Sequence, residues 1–477
     1  MNFFICIFLL SSKDIHERRI GINVNPNYQN HVYLKKYPLK RKCRSIMQKN
    51  PVVLLLIIIA ISSCDSQKVP VEYYNDGQLK MVGDSSLAKQ MFWKKDGDLD
   101  KEQYFEDGKR TMTTYYLERE IVRRSHYGYG EHLYDDNYSI GWEVASEEEK
   151  HFDANIMDNL VNKLPELAKG KVYSLLIVTG GKITYEKYFH RHQKNRASLT
   201  YTITQMVQAL LVGIAVDQGV LKSVDDKFMN YFAGHYGDIK NLDSLKKTIT
   251  IRQLLTMTPG FTWHEWAGKL PEMLKSRDWV RSVLEQPMLD TPGEKYMYNG
   301  GCSQILAGII QVATGMNSEA FAIKYLFDPL GIGNYRWSSD IATNMSDAVT
   351  GLSLTPRALA KIGSVYLNGG KWKGKRIVSE SWIKESLKPH VLKKFGNPPL
   401  YFGYMWNQVE LLITIDAEEG STMPVVVNYA EGYGGQFIFL IPEMNMVVVI
   451  TGRNDLFQNL RKSYWLISEI LTAHYIS

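Results

Sequence analysis

Two strand-like runs, Tyr173–Val178 and Lys182–Tyr188, and three more at 424–430, 436–441 and 446–451 lie on either side of a long helical stretch, residues 225–390. This order constrains the chain more than any other feature. Strands that open and close one region, with helices between, share a sheet only if both chain ends supply it. Gly180-Gly181 joins the first two runs as a hairpin, since glycine takes the positive φ such turns need. Residues 152–168 read as an amphipathic helix, Ile203–Gln218 as a strongly apolar one, and the chain closes on a helix around 457–475. The expected fold class is α+β: an antiparallel sheet flanked by helices, with an α-rich lobe, over residues 143–477.

Composition agrees with a folded chain of two or three domains. Of the 477 residues 45% are hydrophobic and 22% charged, which excludes collagen, a coiled coil, a multi-pass membrane protein and wholesale disorder. The net charge of +6 is carried by the N-terminus: residues 1–46 hold nine Lys/Arg against two Asp/Glu, and the chain from Cys64 onward is slightly acidic. No basic footprint remains in the folded part, so nucleic acid is not an expected partner. The four cysteines, Cys6, Cys43, Cys64 and Cys302, support neither a disulfide framework nor a cysteine zinc site. His190 and His192 form the only close histidine pair and read as surface residues. No metal or cofactor is implied.

Residues 52–61, VVLLLIIIAI, are too few to span a bilayer, which needs about 20. They fit a signal-peptide core, with Lys49 before it. Ile61-Ser62-Ser63-Cys64 follows and resembles the lipobox of bacterial lipoproteins. In that reading 47–63 is a signal peptide, 1–46 is an over-extended start, and Cys64 is lipidated, anchoring an exported protein to a membrane of the bacterial envelope. The other reading is an ordinary secretory signal with an incidental cysteine. In 64–142 an aromatic residue leads into Asp-Gly three times, at Tyr73-Tyr74-Asn75-Asp76-Gly77, Trp93-Lys94-Lys95-Asp96-Gly97 and Tyr104-Phe105-Glu106-Asp107-Gly108. Asp-Gly is a hairpin signal, so this segment reads as a meander of short strands. It weakly resembles MORN-type repeats. It is either a module that contacts a protein partner or a β-extension of the main domain.

Five phrases of the main domain carry a more specific resemblance: SLLIVTGGKITYEKYF (174–189), LLVGIAVDQGVLKSVDD (210–226), ITIRQLLTMTPGFTWHEW (249–266), PGEKYMYNGG (292–301) and GYGGQFIFLIPEMNMVVVITG (432–452). Together they resemble the serine β-lactamase / D-Ala-D-Ala peptidase family, in its class C-like, esterase-containing branch. The resemblance implies a serine opening the apolar helix in a Ser-x-x-Lys motif, where i and i+3 share a helix face and the lysine takes the serine proton. Here that stretch is Thr202-Ile203-Thr204-Gln205. Thr202 keeps a hydroxyl, although its methyl restricts χ1 and crowds attack. Gln205 is a carboxamide and cannot accept a proton at neutral pH, so the nucleophile lacks its base.

Three literal Ser-x-x-Lys matches exist, Ser86–Lys89, Ser244–Lys247 and Ser381–Lys384, but none opens an apolar helix after the first hairpin. Ser198 lies nearer, with Tyr201 at i+3. The second family motif, Tyr-x-Asn, falls on Tyr298-Asn299-Gly300 with the asparagine one position early. Tyr298 is either a proton shuttle or a pocket-wall hydrogen bonder. The third motif falls on Tyr433-Gly434-Gly435, where glycine lets a substrate approach the strand, and Gln436 continues the pattern. Cys302 reads as a buried small residue, and Trp263-His264-Glu265-Trp266 as either pocket wall or lobe packing.

Three functions follow. The chain is a catalytically impaired family member binding a peptidoglycan-like peptide or a small ester or amide. Alternatively it is an active esterase, β-lactamase or D-Ala peptidase acylated on Thr202. In the third reading it is a structural lipoprotein whose repeats make the contacts.

Overall fold

The computed structural model describes residues 142–476, apart from 169, 191, 266–267, 341–342, 395–396, 417–418 and 457–459, and before them the strands His31–Val32, Val69–Tyr73, Leu79–Val82, Lys89–Trp93, Leu99–Glu106, Lys109–Leu117 and Glu120–Tyr129. Cys64, the apolar run 52–61 and the Asp-Gly turns lie outside the described residues. Two compact units divide the chain, Met1–Ile121 and Val122–Ser477.

In the first unit five consecutive strands from Val69 to Leu117 pair antiparallel, each with the next. The ladder shifts register at Glu72/Tyr73, Phe92/Trp93 and Tyr104/Phe105. Each shift falls at or beside the aromatic residue that leads into an Asp-Gly phrase. A bulge there adds twist at the same point of these three hairpins; the pairing of Leu79–Val82 with Lys89–Trp93 has none.

The second unit is built on an eight-stranded antiparallel sheet. Its order is Val391–Lys394, Leu400–Phe402, Asn407–Asp416, Ser421–Gly432, Gln436–Ile441, Met446–Asn454, Gly170–Thr179, Lys182–Tyr188. The two chain ends meet where Met446–Asn454 pairs with Gly170–Thr179, from Met446 opposite Thr179 to Asn454 opposite Gly170. Gly180 and Gly181 form the predicted hairpin turn with φ of 59° and 84°. The predicted helices appear as Ala154–Leu167, Ile203–Asp217 and Leu460–Ile476. Asp153 caps the first of these by accepting from Ile156 N at 2.8 Å.

Both faces of this sheet are covered. Leu176, Val178, Ile438, Leu440, Val447 and Val449 enter one core, with the apolar helix and the α-rich lobe. Their neighbours Leu175, Ile177, Phe437, Phe439, Val448 and Ile450 enter the other, beneath the first and last helices. Burial on both sides is why strand QFIFLI reads as an unbroken apolar run rather than an alternating one.

The stretch 225–390 is less uniformly helical than its sequence pattern. Asn334–Ser339 is a strand pairing with Leu352–Leu354 on one side and with residues 124–129 on the other. Its sequence, NYRWSS, carries no clear period of two, and only these pairings make it a strand.

Helix Ile203–Asp217 is the axis of the lobe, buried from Ile203 through Ala215. Gly213 permits the Trp382 indole to lie against it, since a Cβ there would stand 2.3 Å from the ring. Gly213→Ala is therefore expected to destabilise the unit by about 1–3 kcal/mol through overpacking, despite alanine's better helix propensity. Urea denaturation reads this directly, and an unchanged midpoint would contradict it.

Candidate active site

Thr202 stands at the N-cap of the buried helix in a helical conformation, φ −70° and ψ −10°. Its side chain makes no capping bond. The hydroxyl instead donates to the Glu431 carbonyl at 2.8 Å, tying the helix entrance to the strand Ser421–Gly432. The two elements meet closely because residue 432 is glycine: a Cβ there would lie 2.2 Å from the Thr200 carbonyl oxygen. Tyr201 takes a left-handed φ of 50° just before the helix, and its ring packs edge-on against Tyr433 at 5.4 Å.

One turn into the helix Gln205 is buried, and its amide donates to the Tyr298 hydroxyl at 2.8 Å. Tyr298 sits just before helix Gly300–Thr314, whose first amide, Gly300 N–H, donates to Glu265 at 3.0 Å. Trp263 Nε1 donates to the same carboxylate oxygen, so Glu265 does the capping that the Asn299 side chain does not. Burial pushes the Glu265 carboxyl up. Burial also pushes the Tyr298 phenol well above its ordinary value; Glu265 and Tyr296 add to this, while hydrogen bonds with Gln205 and Thr202 oppose it. Tyr298 is thus a neutral phenol at neutral pH. Beside Thr202 stand an amide and a phenol, and neither takes a proton there.

These groups line a cavity of about 240 Å³ with Tyr433, Gly432, Met257, Phe402, Met405, Ala430, Glu431, Asn407 and Lys393. Thr202, Gln205, Tyr298 and Tyr433 are brought together in its wall. Asn299 is not brought into the cavity; it is buried, with neither side-chain polar atom partnered. Gly434 and Gly435 make the tight turn after Tyr433 with φ of 80° and 82°, and a Cβ on Gly435 would meet the Asn454 side chain at 2.0 Å. They set the strand's path and do not line the cavity.

Other sequence candidates fall elsewhere. Ser381 and Lys384 lie on helix Glu380–Leu387, where Lys384 pairs with Glu380, and neither Ser381 nor Ser244 lines the cavity. Ser86 and Trp266 are outside the described residues, as is Cys64. Cys302 is buried, and burial holds its thiol well above the usual range. His192 stacks on Tyr173 at 3.7 Å.

Sequence reasoning missed Lys393, Glu431 and Asn407. Lys393 reaches the cavity from the edge strand Val391–Lys394, donating to Asn407 Oδ1 at 2.6 Å and standing 3.5 Å from Glu431 Oε1. Phe402 and Tyr296 pack beside its ammonium, at 5.5 and 5.7 Å to their ring centroids. Burial pulls the Lys393 pKa down, but Tyr296 and the Glu431 carboxylate raise it by more, so it stays charged. The cleft therefore holds a protonated cation paired with Glu431, on the edge strand and not at the helix start. Nothing local marks it, since Lys393-Lys394 looks like any polar loop.

A family model described as Beta-lactamase matches residues 157–464. The chain belongs to the beta-lactamase family. Among characterised relatives of this family, it is 22% identical to a 6-aminohexanoate-dimer hydrolase of Paenarthrobacter ureafaciens over 253 residues, 48% of this chain and 62% of that enzyme. The chain thus matches less than two thirds of that relative's length. Among solved structures, a putative 6-aminohexanoate-dimer hydrolase from Bacillus anthracis aligns with a TM-score of 0.54 at 18% identity, covering 70% of this chain and 87% of the other. EstCE1, a hydrolase with promiscuous acyltransferase activity, aligns at 0.53 and 15% identity, covering 68% and 98%. These likenesses establish the beta-lactamase fold, an antiparallel sheet with flanking helices, as the sequence order predicts.

Proposed function

We propose that this beta-lactamase-family unit binds a peptidoglycan-like peptide or a small ester or amide in the Thr202 cleft, with its acyl-transfer chemistry impaired. The observation that carries the reading is the Gln205–Tyr298 hydrogen bond. An uncharged amide fills the place of the base, and a phenol raised by burial cannot replace it. Loss of general-base help costs on the order of 10²–10⁴ in rate. The name of the 6-aminohexanoate-dimer hydrolase relative supports an amide-bearing ligand. The apolar run 52–61 with Ile61-Ser62-Ser63-Cys64 supports export and lipid anchoring at Cys64.

A second reading, an active hydrolase acylated on Thr202, is favoured by one observation: the hydroxyl is retained and its residue lines the cavity. Incubating the full chain with a labelled penicillin and, separately, a fluorophosphonate, then reading intact mass, decides between the two. No adduct is expected. An adduct mapped to Thr202 would overturn impairment and establish the second reading.

A further inference from the structure

Gln205 is 2% exposed, yet its side chain lines the cleft cavity. A carboxamide offers two N–H donors and one carbonyl acceptor. Nε2 donates to the Tyr298 hydroxyl at 2.8 Å, and this bond orients the amide. Among the described residues no donor takes up Oε1. Gln208, one turn further along the same helix, is the contrast: both of its polar atoms are sealed in the lobe without a partner. Gln205 Oε1 is not sealed in this way, so the donor that satisfies it comes from whatever fills the cavity.

A second amide reaches the same cavity from the sheet. Asn407 is 3% exposed and lines it. Lys393 donates to Asn407 Oδ1 at 2.6 Å, which leaves Nδ2 as the end that donates. The helix thus supplies an acceptor and the sheet a donor. A trans secondary amide carries its N–H and C=O on opposite sides, and so meets both. An ester brings a carbonyl but no N–H, and would leave Oε1 without a partner.

The lining also sets the charge of the ligand. Lys393 and Glu431 are its only charged side chains, and they pair at 3.5 Å. Met257, Phe402, Met405 and Ala430 add an apolar wall. An aliphatic chain gains from that wall, whereas an ionic group finds no uncancelled counter-charge.

We infer that Gln205 makes the cleft selective for a secondary amide on an uncharged aliphatic chain over the matching ester. The inference rests on the reading of the cleft as a binding site and narrows the ligand class. A site that hydrogen-bonds a ligand N–H rejects the analogue lacking it, because its own polar group is then left unpaired.

The test titrates the full chain with N-methylhexanamide, N,N-dimethylhexanamide, methyl hexanoate and hexanoate, followed by ligand-observed NMR. N-methylhexanamide is expected to bind at least about tenfold more tightly than each of the other three. Gln205→Met, close in size but without the acceptor, should bring the secondary amide and the ester within about twofold of each other. Asn407→Leu should weaken both alike and keep the preference, since both carry the carbonyl. Equal binding of secondary amide and ester to the wild-type chain overturns the inference while leaving the cleft a binding site. No binding of any of the four overturns both readings. A preference that survives Gln205→Met, or hexanoate binding most tightly, also overturns the inference.

Discussion

Gln205→Lys combined with Thr202→Ser is expected to raise the rate at which penicillin or fluorophosphonate acylates the cleft by about 10² or more over the wild-type chain. The geometry is ready for it. Gln205 already places a nitrogen 2.8 Å from the Tyr298 hydroxyl. A lysine there keeps that donor and adds a titratable amine. The position is buried, and burial favours the neutral amine that can take a proton. Serine removes the methyl that crowds attack while keeping the hydroxyl. Its bond to the Glu431 carbonyl holds the oxygen near the cavity wall. Intact mass and a time course of labelling measure the gain. Gln205→Lys alone should give part of it, and Thr202→Ser alone little, because under the proposed impairment the function to be restored is the base. If the double variant folds, binds and labels no faster than wild type, the loss lies beyond these two positions and the account of impairment given above fails.

Lys246→Met is expected to cost about 3–5 kcal/mol of stability, among the largest effects of any single change in the unit. Lys246 is fully buried in the lobe, and its ammonium donates to three backbone carbonyls, Asn241 at 2.8 Å and Leu284 and Gln286 at 2.7 Å each. Burial lowers its pKa, with Asp243 and Glu285 opposing. Methionine matches the stem but donates nothing, leaving three carbonyls without their partner, each at a cost of about 1–3 kcal/mol less whatever relaxation recovers. Urea unfolding at neutral pH measures it. Lys246→Arg should lose less, since it still donates. A methionine variant as stable as wild type would mean that the carbonyls find other partners. The sign of the pH dependence follows from the lowered pKa. The buried charge is a burden that deprotonation relieves, so the residue's own contribution becomes more favourable as pH rises from the folded toward the unfolded value.

Much of this architecture was legible before any coordinates. Gly180-Gly181, the apolar helix after Thr202, and the runs at 424–430, 436–441 and 446–451 each carry their signal within a few residues. The strand Asn334–Ser339 did not, because its pairing partners are distant in sequence and its own residues alternate poorly. Asn299 was placed in the substrate site by its motif position, but the helix that starts at Gly300 turns its side chain into the interior. A one-residue offset at a helix start rotates a side chain by about 100°, enough to move it from cleft to core.

The sequence by itself determined the sheet drawn from both chain ends, the buried helix, and the presence of Thr202 and Gln205 one turn apart at its start. These depend on local periodicity and on identities at short, fixed spacings. Only the tertiary structure decided that Lys393 and Glu431 meet in the cleft and that Glu265 caps the helix beside Tyr298. Those groups come from strands and helices far apart along the chain. Their spacing is set by sheet order and packing, which no local pattern encodes.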